Sequence, residues 1–177
     1  MNRTKELFNL AYVPRWAVVP IQRPQSVAEH SFRVAAVTAE ICDRLQFYGV
    51  HVDQSRALWW ALIHDVEESF TGDIPSPYKR SIKPDGISVG FEWYMQEMVM
   101  VGDKEKLVVK MADSVEALDY IIQWGVPPSG NIVAQDIYSN AEKTVELFID
   151  AFGAPAMKHI FQELTRRAGI NEPPFWM

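Results

Sequence analysis

Ser26-Val27-Ala28-Glu29-His30-Ser31 is the stretch on which the fold turns. A serine followed three residues later by a glutamate has the spacing of a capping box. The two side chains satisfy amides at a helix start that the helix itself cannot bond. Beyond it, apolar residues recur at Val27, Val34, Ile41 and Leu45, near the 3.6-residue period, so the spacing predicts an amphipathic helix with one face meant for burial. His30 falls in its first turn. A histidine at a helix entry lies where loops can bring a ligand to it, although a core histidine bonded to backbone would fill the same position.

Upstream, Thr4 to Ala11 reads as a first helix, stopped before Tyr12-Val13-Pro14 because the residue preceding proline avoids helical angles. Arg15 to Gln25 follows Pro14 and carries Pro20 and Pro24, which makes it loop or extended chain. Downstream, Asp53 is positioned to cap a helix containing Ala57, Leu58, Ala61, Leu62 and Val66, closed by Thr71-Gly72-Asp73 and then Pro75 and Pro77. Ser81 to Gly86 reads as loop and Ile87 to Val101 as a helix of aromatic and methionine character. Asp103 caps a further helix to Trp124, halted by Gly125 and Pro127-Pro128; helices over Ala134–Phe152 and Pro155–Ala168 complete the chain. No stretch alternates in the manner of a strand. The expected architecture is all-α, a compact single-domain helical bundle spanning residues 1–177.

The bulk properties narrow the function. With 48% apolar and 23% charged residues over 177 positions, the chain is ordinary for a globular domain and long enough to bury a core. A net charge of −6 disfavours a broad nucleic-acid-binding surface but leaves room for a small phosphorylated substrate, which needs only a few local cations or a metal. No apolar run reaches bilayer length, no secretion signal is visible, and the lone Cys42 excludes an internal disulfide, which suits a reducing cytoplasm.

Five groups of residues carry chemistry, and each has an ordinary structural explanation beside the functional one. His64-Asp65 is followed by Glu67 and Glu68; on a helix His64 and Glu68 share a face, and an imidazole with carboxylates is the start of a divalent-metal site, yet a His-Asp pair alone is usually surface. His30 is the second. Asp113, in Lys110-Met111-Ala112-Asp113-Ser114-Val115-Glu116-Ala117, has Val109 and Ala117 one turn to either side. It is either buried, and then in need of a metal or cation, or exposed at the edge of the stripe. Arg15-Trp16 offers a guanidinium suited to phosphate and a flat indole, or a surface arginine and a core tryptophan. In Thr71-Gly72-Asp73-Ile74-Pro75-Ser76-Pro77-Tyr78-Lys79, Asp73 can accept from a hydroxyl and Lys79 can meet a phosphate, although turn chemistry explains the same residues.

As an ordered set these elements are specific. Arg15-Trp16, Ser26-Val27-Ala28-Glu29-His30-Ser31, His64-Asp65-x-x-Glu68, Thr71-Gly72-Asp73-Ile74-Pro75-Ser76-Pro77 and Ala112-Asp113 together resemble the HD-domain phosphohydrolases, specifically the YfbR-like 5′-deoxynucleotidases. The resemblance covers about the first two-thirds of the chain; after Trp124 it extends only to the presence of helices. It implies one catalytic divalent metal (Zn, Co, Mn, Fe or Ni) held by His30, His64, Asp65 and Asp113, with a second ion admitted beside the substrate phosphates. It further implies Glu68 as the acidic catalytic residue near the attacking water and Asp73 beside the sugar or the water. Arg15 and Lys79 would meet phosphate, Trp16 would exclude a ribose 2′-hydroxyl, and Val18 and Pro77 would wall the base.

The implied reaction is attack at the 5′ α-phosphorus of a 2′-deoxynucleotide. It takes either the form of a 5′-deoxynucleotidase or that of a triphosphohydrolase, the latter found among compact, often virus-encoded members that prefer dATP. An HD-type phosphodiesterase and a non-catalytic nucleotide-binding or regulatory module are the alternatives. The intact ligand set speaks against the module, and the Arg15-Trp16 and Thr71-Gly72-Asp73 elements speak against the phosphodiesterase. A homo-oligomer (dimer or higher) is expected from the resemblance and from Phe91, Trp93, Tyr94, Phe175 and Trp176, which would otherwise be core. The expected setting is the cytoplasm of a bacterium or of a virus-infected bacterial cell, with no membrane and no stable nucleic-acid complex.

Overall fold

The computed structural model describes residues 3–74 and 92–170, which form helices joined by turns and loops. In chain order these are α1 (Arg3–Asn9), a 3-10 turn (Leu10–Tyr12), α2 (Val27–Phe47), α3 (Gln54–Ile63), α4 (Glu68–Thr71), α5 (Glu92–Met100), α6 (Asp103–Trp124), α7 (Ser129–Phe152) and α8 (Ala156–Arg167). Among the described residues there is no strand, only isolated bridges between Pro14 and Ser26 and between Ile21 and Gly125. No helix among them is long and apolar enough to cross a membrane.

The capping logic holds at the two helices that matter most for the site. Ser26 Oγ accepts the Glu29 amide at 3.1 Å, and Asp53 Oδ1 accepts the Arg56 amide at 3.0 Å. Each satisfies a donor that its helix leaves over and so fixes where the helix begins. Val27, Val34, Ile41 and Leu45 are all fully buried along one face of α2. That face packs with α3 and α6, and α6 also meets α7 and α8. α6 is therefore the central helix: Val108, Val109, Met111, Ala112, Val115, Leu118 and Ile121 are buried around it.

Several expected boundaries shift. α1 ends at Asn9 and tightens into the 3-10 turn through Tyr12. Asp103 is the first residue of α6, behind Gly102 as cap, where its carboxylate complements the helix dipole without bonding an amide. α7 begins at Ser129 rather than Ala134, because Pro128 needs no amide partner and serves as its cap residue. The part of the expected helix over Ile87–Val101 that lies before Glu92, and the loop over Ser81–Gly86, fall outside the described residues.

The largest correction concerns the expected continuous helix through His64 and Glu68. α3 stops at Ile63, with His64 as its cap residue; residues 64–67 form turns, and Glu68 opens the short α4. Three-residue-span bonds from the Val66 amide to Ile63 and from the Glu68 amide to Asp65, both 2.9 Å, hold the turn. The physical reason lies in direction: adjacent side chains on a helix diverge by about 100°. Here the break lets His64 Nε2 and Asp65 Oδ2 approach to 3.3 Å.

Tyr94 is core rather than an outer surface, and Trp93 is half-buried beside it. Tyr94 is buried against Ile63 and Val66 and its hydroxyl donates to the His64 carbonyl at 2.9 Å, while Trp93 packs beside it. Burial, with nearby carboxylates adding to it, pushes the Tyr94 phenol well above its ordinary pKa, so it stays a donor. Phe91, Phe175 and Trp176 fall outside the described residues.

Candidate metal centre

Three parts of the fold converge at one point: the first turn of α2, the turn after α3, and the middle of α6. They bring His30, the His64-Asp65 pair and Asp113 together. One ligand atom from each of His30, His64 and Asp65 lies within 4.8 Å of the other two. Asp113 joins them, with Oδ1 3.1 Å from His30 Nε2, and Asp65 Oδ2 is 3.7 Å from the same nitrogen. The two imidazoles sit 5.6 Å apart, tilted by 56°.

The donor set suits a divalent cation. His64 Nδ1 lies 2.8 Å from the Ala61 carbonyl, which can only accept, so Nδ1 carries the proton and Nε2 presents its lone pair. The Nε2 atoms of both histidines are buried and make no hydrogen bond. Two buried, unbonded nitrogens facing two carboxylates form a cluster that is stable only around a positive charge. Two nitrogens and two carboxylate oxygens form a mixed set that transition-metal ions and zinc accept.

The electrostatics agree. Burial and the Arg15 charge would lower the His30 pKa, but the adjoining carboxylates of Asp113 and Glu116 overcome them and bring it up to about 9. Burial would raise the Asp113 carboxyl, and the close approach of His30 with the charges of His30, His64 and Arg15 instead holds it far below the usual carboxylate range. Positive charge is thus favoured at this point, whether as a proton or as a metal ion.

Glu68 is buried at the start of α4, one turn beyond the His64-Asp65 pair. α4 is capped by Gly72, whose φ of 69° and ψ of 172° suit only a residue without Cβ, and this bend sends Asp73 back toward the Arg15-Trp16 loop. Asp73 Oδ2 accepts the Trp16 amide at 2.9 Å. Trp16 itself sits at φ 66°, a left-handed conformation costly for a tryptophan. It is held by Asp73, by its indole N–H on Gln25 Oε1 at 2.9 Å, and by parallel stacking over Tyr120 at 6.1 Å. Val18, on the same loop, is largely exposed, and Pro77 and Lys79 lie outside the described residues.

Arg15 is placed behind His30. Its Nη1 lies 2.6 Å from His30 Nδ1, 3.2 Å from Gln25 Oε1 and 3.3 Å from Glu116 Oε2. Sequence reasoning passed over Glu116, Gln25 and Arg33, which complete this layer. The buried Glu116 meets His30 Nδ1 at 2.5 Å through Oε2, and accepts from Gln25 Nε2 at 2.7 Å and Arg33 Nε at 2.8 Å through Oε1. A signal existed: Glu116 follows Asp113 and Arg33 follows His30 by three residues, which puts each pair on one helix face.

A helical bundle that gathers two histidines and two carboxylates between its helices has the donor set to hold a divalent metal ion. Residues 4–85 match the family model described as 5′-deoxynucleotidase YfbR-like. A dATP triphosphohydrolase of Salmonella phage PMBT28 is 31% identical over 131 residues, covering 68% of this chain and 66% of that protein. The 5′-deoxynucleotidase PM0747 of Pasteurella multocida is 27% identical over 183 residues, covering 84% and 92%. Among solved structures, the HD phosphohydrolase DatZ of cyanophage S-2L, bound to dA and one catalytic Zn2+, superposes with a TM-score of 0.78 at 20% identity, covering 96% of this chain and 98% of that one. The chain belongs to the HD-domain phosphohydrolases, in their YfbR-like branch.

Proposed function

We propose that this protein is a metal-dependent phosphohydrolase that attacks the 5′ α-phosphorus of 2′-deoxynucleotides. The observation that carries the reading is the convergence of two unbonded, buried imidazole nitrogens with Asp65 and Asp113. It is supported by relatives named for dATP triphosphate hydrolysis and for 5′-deoxynucleotidase activity, and by the dA and Zn2+ of the cyanophage structure.

His30, His64, Asp65 and Asp113 hold the ion, with zinc, cobalt, manganese, iron and nickel all compatible and a second ion accommodated beside the substrate phosphates. When bound, a divalent ion supplies a Lewis acid that polarises the phosphoryl oxygen and makes water a nucleophile near neutral pH. Glu68 takes the proton of the attacking water as the new P–O bond forms, and the deoxynucleoside O5′ leaves with a proton as the old bond breaks. Lys79, and Arg15 through guanidinium nitrogens other than the Nη1 that faces Gln25, His30 and Glu116, offset charge developing on the phosphoryl oxygens. Trp16, fixed by Asp73 through its backbone, packs against C2′ of the sugar and leaves no room for a hydroxyl; Asp73 keeps its other oxygen for the sugar or the water. Val18 and Pro77 line the base. A homo-oligomer in the cytoplasm of a bacterium, or of a virus-infected bacterial cell, is the proposed setting; exposed Phe8, Tyr12, Phe32 and Val99 offer apolar surface for self-association.

Phosphate and tripolyphosphate release from deoxynucleoside mono- and triphosphates and their ribose counterparts, assayed across these metals, tests the proposal. The expected outcome is release from one deoxy series, little from the ribose series, and a narrower gap between them in Trp16→Ala. No release from any deoxynucleotide would sink the assignment, and unchanged discrimination in Trp16→Ala would move the sugar filter elsewhere.

A further inference from the structure

We propose that Glu116 is a positioning residue that selects which nitrogen of His30 is offered to the metal, a role that rests on the metal-centre reading above. Four donors from four places in the chain converge on this one carboxylate. His30 Nδ1 at 2.5 Å and Arg15 Nη1 at 3.3 Å meet Oε2, and Gln25 Nε2 at 2.7 Å and Arg33 Nε at 2.8 Å meet Oε1. Glu116 is 1% exposed and His30 is fully buried, so water does not substitute for any of these partners.

The tautomer follows from what each group can do. An ionised carboxylate only accepts, so contact at 2.5 Å is attractive only if His30 Nδ1 carries a proton. Arg15 Nη1 lies 2.6 Å from the same nitrogen and would favour the opposite tautomer by donating to it, but it has Gln25 Oε1 and Glu116 Oε2 as other acceptors. The carboxylate decides. With the proton on Nδ1, the lone pair of Nε2 faces Asp113 and Asp65, where a metal belongs. His64 reaches the same state by a backbone route, through the Ala61 carbonyl. One ligand is thus oriented by its own helix and the other by a side chain arriving from α6.

Glu116→Gln is the informative change, because the amide brings an NH2 into a ring of donors. Facing Gln25 and Arg33, that NH2 meets an arginine Nε–H that cannot give up its proton. Facing His30, the conflict is relieved by moving the imidazole proton from Nδ1 to Nε2, the nitrogen needed for the ion. Losing a partner that orients a metal-bound histidine lowers metal affinity by about 10- to 100-fold.

The test measures Zn2+ affinity of the metal-stripped full-length protein by competition with a chromophoric chelator, alongside thermal melting of each stripped variant. Glu116→Gln is expected to bind Zn2+ at least about tenfold more weakly than wild type. Arg33→Met also strips a contact from Glu116 but leaves its bond to His30, and is expected to stay close to wild-type affinity even where its melting temperature falls. Should both variants lose affinity in step with their stability, Glu116 is only a packing residue and the inference fails. Wild-type protein that binds Zn2+ while Glu116→Gln binds it equally well overturns the inference alone; wild-type protein that binds no Zn2+ overturns the metal centre with it. A second measurement needs no variant: long-range 1H–15N spectra of the Zn2+-loaded wild type should show His30 protonated at Nδ1, and a proton at Nε2 would refute the assignment.

Discussion

Glu68 and His64 lie four residues apart, both in or beside the turn that follows α3, yet they are assigned different work. His64 points its bare Nε2 into the cluster of ligands, whereas Glu68 is a buried carboxylate at the head of α4. On the proposed function, replacing His64 with alanine removes one of four proposed ligands, while Glu68→Ala leaves all four in place and takes away the group proposed to handle the proton. Metal analysis with turnover on the same preparations should therefore find His64→Ala poor in metal and inactive, and Glu68→Ala loaded but slowed by about 10²-fold or more. Equal metal loss in the two would show that Glu68 is a ligand.

At this scale residue type alone left His30, His64-Asp65 and Asp113 each with an ordinary structural explanation, and it was the resemblance carried by their order that implied a shared ligand set. Two features were not legible at all. Trp16 at φ 66° is an outlier that local preferences argue against; it exists because Asp73, Gln25 and Tyr120 fix it from three directions. Arg15, for which a bare guanidinium suggested only phosphate, stands against His30 and Glu116.

Among the elements, α2 was the most legible, because its Ser26 cap and its apolar period both agree with the structure. It also buries the one cysteine. Burial pushes the Cys42 thiol up to about 12, with the carboxylates of Asp43, Glu105 and Asp53 adding to the effect. The native fold thus keeps the proton over a range where the unfolded chain, with a thiol pKa of about 8.5, has lost it. Because the folded state then binds more protons, stability contributed by this site is intact below about pH 8 and falls as pH rises toward the folded value. Urea unfolding at pH 8 and pH 10 should show wild type losing about 1–2 kcal/mol more than Cys42→Ala over that interval. Identical losses would mean that the thiol titrates normally in the fold. The stretch after α3 was the least legible element. Residues 54–71 have helical periodicity throughout, and only the need to aim His64 and Asp65 at one point explains the break after Ile63. That requirement is tertiary, and no local pattern carries it.

For the molecule as a whole, the all-α bundle followed from periodicity and caps, whereas the packing of α2 against α3 and α6 became visible only in the structure. Also beyond reach was the buried polar layer around Glu116. It is assembled from residues 15, 25, 30, 33 and 116, and becomes visible only once α2 and α6 cross. A buried layer built on Glu116 and His30, with Arg15 and Arg33 reaching into it from partly exposed positions, is costly unless every charge is met. The centre is therefore expected to bind its ion as part of the folded structure, and the ion in turn to stabilise the fold by mass action.

The measurement that tests this account most directly is deoxynucleotide turnover against metal content, with stripped protein reloaded in steps. Turnover should be absent in the stripped protein, rise in proportion to bound metal, and level off at about one ion per chain, as a single four-ligand centre requires. Full turnover in protein free of divalent metal, or no turnover at any loading, would contradict it.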